Sequence, residues 1–119
     1  MAKLKTLLEA LHISLDSGLS TDGEVRYAVE LISEVEDMND AMRDCICASF
    51  ERGPLFDGDV PSKAGRDALV GMGYMAHVVV RGQDGYNACT YKGASAYRVI
   101  RALRLAVGAE GNHGSSELA

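Results

Sequence analysis

The sequence predicts a mainly helical α+β domain in the order α-α-α-β-β-α, with one β-hairpin. Three observations predict it. Apolar residues recur at steps of three and four over the first fifty positions or so, the period of a helix with one buried face. Two short runs of alternating residues flank Asp84-Gly85, a strong hairpin signal. Tyr97, Ile100, Leu103 and Val107 then return to helical spacing. At 119 residues, 47% of them hydrophobic and 24% charged, the chain fits one domain with its own core. Residues 1–108 are read as that domain and the Gly/Ser-rich 109–119 as a flexible tail.

The first helix is expected over 2–16, where Leu4, Leu8, Leu11 and Leu15 form one stripe and Gly18 follows as a stop. A second begins at Thr21 or Asp22. Thr21 and Glu24 have capping-box spacing, so each satisfies the other's orphan amide. Its stripe is Ala28, Leu31, Val35, Met38, Met42 and Cys45. The helix reaches 50–52, with a break near Met38-Asn39-Asp40. The stripe serves either packing on the first helix or a homodimer seam through helix 22–52. Its repeat is short and includes Ala and Cys, which favours packing.

Gly53-Pro54 ends that helix. Leu55, Phe56 and Val60 tuck inward from the following loop. Asp57-Gly58-Asp59 reads as a turn, since the other ligands of a calcium loop are missing. Pro61 suits the first turn of a third helix, 61–72, with Ala64, Ala68 and Leu69 inward and Lys63, Arg66 and Asp67 outward. Gly73 is its C-cap. Strands are expected at 75–81 and 86–91, with Gly93 breaking the second. The last helix spans 94–107 and shows Arg98, Arg101 and Arg104 on its outer face.

The amino-terminal stretch lacks the continuous apolar run of a signal peptide, and no run approaches a membrane span. The three cysteines read as reduced thiols in a cytoplasmic protein. His12, His77 and His113 are scattered. No nucleophile elbow, phosphate loop or zinc pattern is present, so the expectation is a non-enzymatic protein without cofactor or metal. Charge is uneven. Residues 1–60 carry five Lys/Arg against thirteen Asp/Glu, whereas 61–104 carry seven against two. One half suits an anion and the other repels it.

From Leu69 onward the chain resembles the wing end of winged-helix regulators, including the multiple-antibiotic-resistance type. The matching residues are Leu69, Gly73 and Tyr74, the strands VVVRG and YNACTY, and Thr90-Tyr91-Lys92-Gly93. PLFDGDV stands where a helix-turn-helix has its first helix. The resemblance implies a recognition helix at 61–72 and a wing at 81–86. The leading expectation is therefore a nucleic-acid-binding regulator that offers Lys63, Arg66, Arg81 and Lys92 to the phosphates of double-stranded DNA. The alternative is a protein-interaction module acting through the acidic helix 22–52, with Glu30, Glu34 and Asp37 in contact. In size, acidity and lack of chemistry it is similar in type to small phage or prophage proteins that modulate or inhibit a host protein.

Overall fold

The computed structural model describes residues 2–11, 21–79, 81, 82 and 85–115, the side chains of 2, 3 and 106–115 excepted. Helix α1 (Ala2–Ala10) presents Leu7 and Leu8 to the core, with Leu4 and Leu11 packed at its edge. The expected continuation to 16, with Leu15 and His12, lies outside the described residues. Helix α2 (Asp22–Asp37) opens with the full capping box. Thr21 Oγ1 accepts from the Glu24 amide at 3.1 Å, and Glu24 Oε1 accepts from the Thr21 amide at 2.7 Å.

The break anticipated near Met38 is complete. Met38 and Asn39 are extended, and Asn39 caps a separate helix α3 (Asp40–Arg52) by accepting from the Met42 amide at 2.9 Å. Arg43 Nη2 donates back to the carbonyls of Val35 and Glu36 at 3.0 and 3.2 Å, satisfying the end of α2. Ala28, Leu31, Val35, Met38 and Cys45 are buried in the core of the single chain, with Met42 packed at its margin. The stripe is thus filled from within.

Past Gly53 (φ 80°), Leu55–Phe56 forms a two-residue strand β1 where a loop was expected, and Asp57–Asp59 forms a 3-10 turn. Helix α4 (Lys63–Met72) follows, capped by Ser62 at its start and by left-handed Gly73 at its end. Strands β2 (Met75–Val78) and β3 (Tyr86–Cys89) are antiparallel. With β1 they make a three-stranded sheet in the order β1-β3-β2. Gly82 has φ 78° in the connection. The Asp84-Gly85 turn falls partly outside the described residues.

Helix α5 (Tyr91–Ser115) starts three residues earlier than expected and runs past 108. Thr90 is its cap. Its hydroxyl accepts from the Gly93 amide and donates to the Gly73 carbonyl, at 3.0 and 2.7 Å. Gly93 is therefore no strand breaker. It sits in the first helical turn because a Cβ there would strike the Tyr74 carbonyl and press on Cys89 Sγ. Ala96, Tyr97, Val99, Ile100, Ala102 and Leu103 complete the core. Among the described residues no helix is long and apolar enough to cross a membrane.

Candidate functional site

Asp57 gathers the polar side chains of the sheet. Its Oδ1 accepts from Asn87 Nδ2, Arg66 Nη1 and His77 Nε2, each at 2.9 Å, and its Oδ2 from the Gly85 amide at 3.1 Å. Asn87 is fully buried and also bonds the Leu55 carbonyl and Arg66. Hydrogen bonds from Asn87, Gly85 and Arg66, with His77 beside them, hold the Asp57 carboxyl down at about 2. The orientation expected for α4 is corrected accordingly. Arg66 turns inward, 7% exposed, drawn by Asp57 and Asn87, while Ala64 and Ala68 face out. Gly65 packs inward, its Cβ direction 3.1 Å from the Ala41 carbonyl. The cluster ties β1, β3, β2 and α4 together.

A second cluster surrounds Tyr74, which is fully buried. Its hydroxyl donates to Glu34, and burial together with that carboxylate pushes the phenol up. Lys92 Nζ lies 4.4 Å from the centre of the Tyr74 ring, 3.5 Å from Glu34 Oε1 and 2.9 Å from the Met72 carbonyl. It neutralises the C-terminal end of α4.

The four cations assigned to phosphates are thereby divided. Arg66 and Lys92 are held in these internal clusters, whereas Lys63 and Arg81 are exposed. The outward residues of α4 are Lys63, Ala64, Asp67, Ala68, Val70, Gly71 and Met72, small or apolar apart from the oppositely charged Lys63 and Asp67. Of the three acidic residues assigned to a protein contact, Glu30 and Asp37 are exposed on α2 and Glu34 is half-buried against Tyr74 and Lys92.

Two surface features were not anticipated. Phe56, Tyr86 and Val78 stand opposite one another across the three strands. Phe56 and Val78 remain 45% and 54% exposed, and the Phe56 and Tyr86 rings lie 4.8 Å apart. The other feature is a cleft of about 580 Å³ between the first turns of α2 and α5. Leu11, Glu24, Tyr27, Ala28, Tyr91 and Ser95 are among the residues that line it. Tyr27 also borders a smaller cavity of about 60 Å³ with Glu30, Glu34 and Lys92. Residue alternation assigns Tyr91 to the end of a strand, which hides its place at the start of α5 beside α2.

Cys45 and Cys47 are buried, Cys89 is half-buried, and all are free thiols whose pKa burial raises. Among the described residues no group of three or more His, Cys, Asp or Glu side chains is placed to hold a metal ion. Protein-family models, curated proteins and solved structures give no match to the chain.

Proposed function

We propose that this chain is a non-enzymatic protein-interaction module, a modulator of another protein that it meets through the acidic face of α2. The observation that carries the reading is the division of charge at the surface. Asp22, Glu24, Glu30 and Asp37 are exposed along one helix beside the half-exposed Tyr27, while two of the four cations suited to phosphates are engaged internally. A helix whose exposed carboxylates outnumber its one exposed cation, Arg26, steers a basic partner. Calorimetric titration of the full chain with a short Arg/Ser-repeat peptide tests it. Saturable binding that weakens with salt is expected, and Glu30→Lys with Asp37→Lys should weaken it about tenfold or more. Glu34 is left intact because it also bonds Tyr74.

A second reading, duplex DNA binding, is favoured by the element order. Between α3 and α4 the chain supplies a strand that joins the hairpin, and a 3-10 turn replaces the missing helix. Lys63 and Arg81 then supply about two phosphate contacts, for a log–log salt slope near −2.

A further inference from the structure

We infer that the cleft between the first turns of α2 and α5 seats a cationic side chain, an arginine carried on an extended basic segment of the partner protein. The inference rests on the interaction-module reading and adds the chemistry of what is bound. Four features of the cleft point the same way. Its volume, about 580 Å³, lies in the range of ligand pockets and exceeds what one side chain fills, so chain on either side of the cation also fits. Its lining includes two exposed aromatic residues: Tyr27 is 47% and Tyr91 81% exposed. Planar guanidinium stacks on such rings better than ammonium does.

The third feature is charge. Glu24 lines the cleft and uses Oε1 to bond the Thr21 amide. Its second carboxylate oxygen has no partner among the described residues. Glu30 and Glu34 continue the acidic lining into the adjoining cavity across Tyr27. The neighbouring cation, Lys92, is already engaged by Glu34, Tyr74 and the Met72 carbonyl. An anion at the α2 N-terminus would meet Asp22 and Glu24 in the first turn, so the helix dipole gains it little.

The fourth feature is Ser95. Only 5% of it is exposed, yet it lines the cleft and its hydroxyl has no partner among the described residues. A donor reaching into the cleft would give that hydroxyl a partner. Arginine carries five such donors.

The test is an amide NMR titration of the full chain with three peptides identical except at one residue: arginine, lysine, or citrulline, which keeps the shape and loses the charge. The arginine peptide should shift Gly23, Glu24, Tyr91 and Ser95 saturably. Lysine should bind about threefold more weakly, and citrulline at least tenfold more weakly. Tyr91→Ala removes an exposed ring and leaves the fold intact, and should weaken the arginine peptide about fivefold. Equal binding of the citrulline peptide overturns the assignment of a cation. Shifts confined to Glu30 and Asp37, indifferent to Tyr91→Ala, overturn the cleft as the seat while the acidic face survives as an interaction surface. No shift on α2 with any basic peptide overturns both.

Discussion

Asp57 receives four hydrogen bonds on one carboxylate, from α4, β2, β3 and the residue just before β3. Its partners reward the charged form, so its folded-state pKa, about 2, lies below the ordinary carboxylate value of about 4. The resulting stabilisation is present above the unfolded pKa and is lost as pH falls through the folded one. Denaturant midpoints measured from pH 7 down to pH 2 should therefore show wild type losing stability below about pH 4. Asp57→Asn should start lower, and the gap between the two should close towards pH 2. A gap that stays constant over that range would place the effect in packing alone. The sequence marked Asp57 only as a turn residue and Arg66 as an outward cation. Neither sequence spacing nor periodicity reports a bond between residues nine or twenty-one positions apart, as Arg66 makes to Asp57 and Asn87.

Local signals were legible because their partners are local. The capping box at Thr21, the break before Asp40 and the C-cap at Gly73 all rest on contacts within a few residues, and the hairpin strands follow from alternation. β1 was not legible. It is two residues long and exists only by pairing with Asn87 and Tyr86. The start of α5 was misplaced because Gly93 reads as a breaker, whereas its role is close approach to Tyr74. Gly93→Ala should cost about 1–3 kcal/mol by forcing the hairpin and α5 apart, and urea unfolding checks this. An unchanged midpoint would mean that the junction relaxes freely. The α2 stripe gives a second prediction. Leu31→Asp with Val35→Asp puts two charges among residues 2% and 0% exposed, a loss comparable to a typical domain's total stability of about 5–15 kcal/mol. Circular dichroism should report an unfolded chain. A folded, soluble monomer from that double variant would instead identify the stripe as an intermolecular seam.

Across the whole molecule, charge segregation is the property that links the fold to the proposed function. The acidic half builds α2 and α3, and the basic half builds α4, the hairpin and α5. Folding then draws Arg66, Lys92 and Arg104 into pairs with Asp57 and Asp67, Glu34, and Asp44 respectively. These pairs engage one α2 carboxylate, Glu34, and leave Asp22, Glu24, Glu30 and Asp37 exposed. The helix–hairpin–helix order of the second half does not by itself choose a ligand, since one fold carries many functions. The most direct test compares two labelled probes by fluorescence anisotropy at low salt, a short DNA duplex and the arginine peptide, against the same full chain. The account predicts that the peptide binds, that salt weakens it, and that Glu30→Lys with Asp37→Lys weakens it about tenfold or more while Lys63→Ala with Arg81→Ala does not. Binding of the duplex that Lys63→Ala with Arg81→Ala abolishes, with no binding of the peptide, would contradict it.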